Sequence, residues 1–232
     1  MPQHSSEPAQ SGSIYASYGT ALSPSLEGLS YSTFNTSIPP EKTYTVETGT
    51  KWNLLSDRLL LTGALFQISK DNARTPGILP DDPPQVLSGR QRVRGVELGA
   101  TGAITNSIKI LGAYTHMDPK IISSNTPGEV GKFFQNAPQD SYSVWATYTL
   151  KRFTIGGGPR YVGKRYGNNT NTRSVDGYWT LDAFAAVPVT KRMDLRFNMY
   201  NLNNAYYFDR LGGGHLIPGV SRYAQGSLAF HF

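Results

Sequence analysis

The final twelve residues, Ser221–Phe232 (SRYAQGSLAFHF), restrict the fold more than any other stretch. Side chains alternate across an extended strand. Ala224, Gly226, Leu228, Phe230 and Phe232 therefore share one face, and Tyr223, Gln225, Ser227, Ala229 and His231 share the other. The first face is apolar and finishes on two aromatics. In a soluble β-sandwich a second sheet must cover such a face. In a transmembrane barrel lipid covers it, and aromatics sit at the membrane interfaces. This segment alone leaves both readings open.

Composition narrows the choice. Hydrophobic residues make up 38% of the 232 and charged residues 16%, below the roughly 45–50% and 25% of soluble domains. With 14 Tyr and 10 Phe the chain is too aromatic for disorder. No run approaches the ~18 apolar residues of a membrane helix, so a membrane-spanning form has to be a barrel. The net charge is +6, but Lys and Arg are scattered rather than gathered into a stripe, which argues against nucleic acid as a partner. The absence of Cys excludes a disulfide scaffold and a Cys-ligated zinc site.

Alternation predicts ten strands: Ser13–Ala21, Tyr44–Leu54, Leu59–Ser69, Gly89–Ala103, Ile108–Met117, Ser141–Leu150, Phe153–Lys164, Tyr178–Val187, Met193–Asn201 and Ser221–Phe232. Tyr142, Val144, Ala146, Tyr148 and Leu150 form the cleanest apolar face, with Trp145 an exception on the polar side. In Leu59–Ser69 the apolar face is expected to be Leu60, Ala64, Phe66 and Ile68. The connections alternate between short turns (Ser56-Asp57, Asn106-Ser107, Lys151-Arg152, Thr190-Lys191) and long loops (Leu22–Lys42, Asp71–Ser88, Asp118–Asp140, Arg165–Gly177, Leu202–Val220). Structureless loops beyond ~12–15 residues are uncommon in compact domains. Short turns at one end and long loops at the other are the habit of outer-membrane barrels. The first twelve residues read as a polar lead-in.

The polar face carries Glu47, Lys51, Glu97, Lys109, Arg160, Asp182, Asp194 and Arg196, a mixed-charge lumen in which Asp182 and Arg196 are placed to pair across neighbouring strands. Enzyme chemistry finds little support. There is no G-x-S-x-G elbow. Neither GGGPR (Gly156–Arg160) nor LGGGH (Leu211–His215) leads into a helix with a Lys-Ser/Thr pair, as a phosphate loop requires. Ser227 and His231 share a face but lie ~13 Å apart along a strand, too far for proton transfer. His4, His116, His215 and His231 are too dispersed for a metal pair, and His231 reads as a wet lumen residue.

An ordered series of segments carries a resemblance: IYASYGTALSP, YTVETGTKWNLLSDRLLLTGALFQISKDNART, GRQRVRGVELGATGAI, NAPQDSYSVWATYTL, GGGPRYVGKRYGN, VDGYWTLDAFAAV, LRFNMYNLNNAYYFDR and PGVSRYAQGSLAFHF. Together they resemble the C-terminal barrel portion of a TonB-dependent outer-membrane siderophore receptor. ISKDNART, YYFDRLGGGH and the PG before the last strand are most similar to the catecholate class. The resemblance implies an all-β, antiparallel up-and-down meander within a 22-stranded barrel, with residues 13–232 as the partial barrel. The plug domain, the segment that meets the energy-coupling protein, the first twelve strands and the signal peptide are expected to be missing, since MPQHSSEPAQSGS lacks a signal peptide's apolar core. It also implies a place in a Gram-negative outer membrane, iron met only as a ferric siderophore, no cofactor of the chain's own, and contact with the TonB energy-coupling complex only through the absent plug. Gly226, Leu228, Phe230 and Phe232 would then be the signal read by the barrel assembly machinery.

Under that resemblance an anionic ferric catecholate calls for cations and aromatic surfaces in the long loops. The candidates are Lys132, beside Phe133 and Phe134; Lys164, Arg165, Tyr166 and Arg173; and Tyr206, Tyr207, Arg210 and His215. The same side chains would equally serve as solvated loop charges or girdle aromatics. Two other architectures stay open: a small self-closed ten-stranded barrel acting as an adhesin or passive pore, which requires Ser13–Ala21 to pair with Ser221–Phe232, and a soluble β-sandwich binding module, which buries the Trp179/Leu181/Val187 face.

Overall fold

The computed structural model describes residues 11–23, 40–79, 82, 85–212 and 215–231. Its elements are β1 (Ser11–Ser23), β2 (Glu41–Leu54), β3 (Leu59–Pro76), β4 (Gln85–Ala103), β5 (Ile108–Ser123), β6 (Asp140–Leu150), β7 (Phe153–Val162), β8 (Arg165–Tyr166), β9 (Ser174–Val175), β10 (Tyr178–Thr190), β11 (Met193–Tyr200), β12 (Phe208–Gly212), β13 (His215–Pro218) and β14 (Tyr223–Phe230). No helix occurs among the described residues. Ten strands form one antiparallel sheet in the order β1-β2-β3-β4-β5-β6-β7-β10-β11-β14. The other four make two small hairpins, β8–β9 and β12–β13, inside the last two long connections.

The ten expected strands are all present, but most reach further at the loop end. Alternation of apolar residues stops near Ser69, yet the β3–β4 ladder runs on to Pro76↔Gln85 through irregularities at Asp71/Ala73 and Ala73/Thr75. Ala73, Val86 and Leu87 are mixed there with charged and polar residues, so hydropathy shows no period of two while backbone hydrogen bonding continues. Ser11 and Gly12, read as lead-in, already pair with Asn53 and Trp52.

Following the register gives each row its face. One row is Thr50, Gly63, Leu98, Tyr114, Tyr142, Tyr161 and Trp179. This face remains uncovered: Leu65 is 57% exposed, Leu98 52%, Trp179 49% and Leu228 55%. Among the described residues the buried hydrophobic ones are Ala73, Ile121, Tyr178 and Leu211, all at the loop end. The sheet thus has no second layer over its apolar face among the described residues, which removes the β-sandwich reading. β1 and β14 lie at opposite edges and do not pair, which removes the self-closed ten-stranded barrel.

Two further expectations are corrected. Leu60, Ala64, Phe66 and Ile68 stand opposite Asn53, Gly49, Glu47 and Thr45, on the polar face. The outward residues of β3 are Leu61, Gly63 and Leu65, opposite Trp52, Thr50 and Thr48. β3 is apolar on both faces, so alternation had no contrast to read; the β2–β3 turn decides. In that turn Leu55, Ser56 and Asp57 all adopt positive φ, and Leu54 pairs with Leu59. The second correction concerns Asp182 and Arg196. The register sets Arg196 opposite Ala186. Asp182 instead accepts the Asn201 backbone N–H at 2.7 Å, and the Arg196 guanidinium lies 4.0 Å from the Phe184 ring centroid.

That ring is stacked on Trp145, centroids 5.9 Å apart and planes 1° from parallel. Trp145, Phe184 and Arg196 thus form a shelf on the inner wall. GGGPR makes room for it: a Cβ on Gly156 would come 2.5 Å from the Phe184 ring. On the outward face, the apolar rows of β2–β5 end at Thr48, Leu65, Val96 and His116. Above them stand Arg94, Arg92 and Arg90 with Asp118, Lys120 and Asp71. In a membrane barrel a charged band of this kind lies where the hydrocarbon ends.

Candidate functional site

Three long connections converge beyond the outer ends of the strands: 124–139, 163–177 and 201–222. Their sequences carry six basic and three acidic residues. Asparagine ties the first two together. Asn171 accepts the Phe133 N–H at 2.9 Å and donates to the Phe133 carbonyl at 2.7 Å, copying a strand partner. Asn169 accepts the Gln135 N–H at 2.9 Å, and the Asn136 N–H donates to the Tyr166 carbonyl at 2.8 Å. Phe133 stacks on Tyr166 with centroids 5.9 Å apart. At the base of the third connection, the buried Asn201 donates to the carbonyls of Ala205 and Val220 and accepts the Ala205 N–H. Asn136, Asn171, Asn201 and Asn204 all have positive φ, a conformation Asn tolerates better than most residues. These asparagines were missed as loop organisers; the signal was their density in YGNNTNT and NLNN.

The proposed ligand residues divide into two groups. Lys132, Lys164, Arg173, Tyr206, Arg210 and His215 are exposed. The Lys164 ammonium sits 5.4 Å from the Tyr166 centroid. Arg173 and His215, from different connections, line a cavity of about 160 Å³ together with Val175, Leu211 and Leu216. Arg210 keeps a side-chain exposure of 77%, with Asp209 3.8 Å away. Tyr206 is 78% exposed and meets Phe208 edge-on.

Tyr207 and Arg165 are occupied with the fold itself. Tyr207 stacks on Tyr178 at 4.1 Å and packs so close to Gly219 that a Cβ there would lie 2.1 Å from the ring. Burial raises the Tyr207 pKa above the ordinary phenol value, with Tyr178 and Asp209 adding to it. Arg165 is only 4% exposed and turns both Nη groups to Asn136 and the carbonyls of Phe208 and Asp209. An incoming anion would not meet this guanidinium.

At the opposite edge, Gly226, Leu228 and Phe230 lie on the outward face of β14, opposite Phe197, Leu195 and Met193. Phe232 lies outside the described residues. His231 is held 2.9 Å from Asp194 on the inner side.

The comparisons agree with this geometry. The family described as TonB dependent receptor-like, beta-barrel, matches residues 6–202. The probable TonB-dependent receptor BfrD of Bordetella pertussis is 35% identical over 93% of this chain and 31% of its own length. The probable TonB-dependent siderophore receptor PiuA of Acinetobacter baumannii is 34% identical over 90% of this chain and 30% of its own. The PiuA crystal structure superimposes with a TM-score of 0.85 at 33% identity, over 94% of this chain and 34% of that one. The ferric-catecholate import receptor Fiu of Escherichia coli K12, in its closed form, gives 0.81 at 26% identity, over 95% of this chain and 33% of that one. The chain therefore spans about a third of the relatives it matches. It belongs to the TonB-dependent receptor-like β-barrel family.

Proposed function

We propose that this chain forms part of the wall and three of the outer loops of an outer-membrane receptor that takes up ferric siderophores, those of the catecholate class in particular. The observation that carries this reading is the convergence of exposed cations and aromatic surfaces in the three loops, with Arg173 and His215 brought to one cavity from separate connections. A ferric catecholate is a large anion with aromatic faces. Exposed guanidinium and ammonium groups attract it, and ring faces such as Tyr206 offer stacking area. The iron is cargo, arriving already chelated. Release through the barrel would be the work of the plug and the TonB energy-coupling complex, which the rest of a receptor supplies. Relatives whose names include siderophore receptor support the reading.

The test is ligand titration on a complete receptor carrying this segment, read by quenching of intrinsic fluorescence with a ferric catecholate. Arg173→Gln together with Arg210→Gln is expected to raise Kd about ten-fold, the equivalent of about 1.4 kcal/mol. The loss should shrink at high salt, because exposed charges are screened. An unchanged Kd would refute the assignment of these loops to ligand capture.

A further inference from the structure

Arg165 is a buried cation without a counter-ion among the described residues. It is 4% exposed, and among the described residues no carboxylate lies in salt-bridge contact with it. Its partners are neutral acceptors from both of the other long connections. Nη1 donates to Asn136 Oδ1 at 3.0 Å and to the Asp209 carbonyl at 2.8 Å, and Nη2 donates to the Phe208 carbonyl. The guanidinium carbon lies 5.7 Å from the Tyr178 centroid, and Tyr178 in turn holds Tyr207. Nε has no partner. One side chain thus joins 124–139, 163–177 and 201–222.

The geometry matters most for the β12–β13 hairpin. That hairpin forms its own two-stranded sheet and, among the described residues, makes no ladder with the ten-stranded one. Its seat depends on side-chain ties: the Arg165 fork, the Tyr178–Tyr207 stack and the packing of Leu211, itself 4% exposed. The rigid guanidinium fork suits simultaneous contact with several acceptors in a way a flexible ammonium does not. Without it, the Phe208 and Asp209 carbonyls and the Asn136 side chain lose their shared donor in a partly dry site.

We propose that Arg165 is a positioning residue, a latch that seats the β12–β13 hairpin so that His215 lines the same cavity as Arg173. This rests on the proposed ligand capture, but the latch itself is measurable without ligand. Because its bonds go to neutral oxygens, the hairpin can lift without separating an ion pair.

The experiment uses the complete receptor and two readouts: tryptic cleavage after Arg210 without ligand, and Kd for a ferric catecholate. The bond that trypsin must reach joins exposed Arg210 to buried Leu211, so cleavage reports lifting of the hairpin. Arg165→Gln is expected to speed cleavage about ten- to hundred-fold and to weaken binding in parallel. Arg165→Lys should restore part of both, and Arg173→Gln should weaken binding while leaving cleavage at the wild-type rate. Cleavage of Arg165→Gln at the wild-type rate overturns the latch, whatever happens to affinity. If Arg165→Gln fails to assemble, Arg165→Lys takes its place: faster cleavage supports the latch and an unchanged rate overturns it. A wild-type receptor that binds no siderophore would refute the proposed function while leaving the cleavage result to decide the latch.

Discussion

Leu98 and Leu111 test the assignment of faces, because exposure cannot tell them apart. Leu98 is 52% and Leu111 59% exposed. Register separates them: Leu98 stands opposite Gly63 and Tyr114 on the outward face, and Leu111 opposite Thr101 and Trp145 on the inner one. Leu98 lies midway between Gly102, at the short-turn end, and Arg94, at the start of the charged band. Four residues span ~14 Å of strand, or ~10 Å along the membrane normal at a tilt of ~40°. An apolar band ~25 Å tall therefore has Leu98 near its middle. Arginine at the midplane costs about 2–4 kcal/mol, a shift of roughly 30- to 900-fold in the folding equilibrium. Leu111→Arg faces the polar lumen and should cost about 1 kcal/mol or less. The assay is denaturant unfolding of the complete receptor in phospholipid vesicles, comparing Leu98→Arg and Leu111→Arg with the parent. Equal costs, or the larger cost at Leu111, would refute the assignment of lipid to the outward face.

Gly102→Ala should destabilise by about 2 kcal/mol in the same assay, since φ is +142° and a Cβ would lie 2.0 Å from the Arg58 carbonyl oxygen. The inner-wall shelf should show coupling: a double-mutant cycle of Phe184→Leu and Arg196→Gln is expected to return about 0.5–1 kcal/mol, and additivity would mean that the ring and guanidinium do not interact. Lys70→Ala removes a partly exposed ion pair with Glu41 at 2.8 Å and should change stability by less than about 1 kcal/mol. Residues 11–231 refolded alone into detergent should fail to give the heat-modifiable mobility of a closed barrel, because β1 and β14 each keep an unpaired edge; a compact, heat-modifiable monomer would contradict this.

Much of the wall was legible in the residues, and the reason is contrast. An apolar and a polar face, as a barrel with lipid outside and water inside requires, give β4, β6, β10, β11 and β14 a period of two, so Val96, Val144, Leu181, Phe197 and Leu228 could be assigned their face without coordinates. The alternation of short turns and long loops was equally plain, because turn chemistry is local. Where contrast fails, so did the reading. β3 is apolar on both sides, and the turn at Leu55–Asp57 had to choose its face.

Beyond Ser69 and Met117 polar residues mix with Ala73, Pro119 and Ile121, which are buried, so the ladder continues where a two-residue hydropathy period is silent. The Asp182–Arg196 pair failed for a related reason: alternation reports faces but not register, and four residues of offset separated two side chains on the same wall. Arg165 marks the limit most clearly. In sequence it is one more loop cation beside Lys164. Whether an arginine meets an anion or braces its own backbone depends on which carbonyls fold back upon it, and those of Phe208 and Asp209 lie more than forty residues further along the chain. Local residues dictate strands and turns through short-range sterics and solvent contrast; only the tertiary structure assigns the long-range partners that turn a charge into a brace.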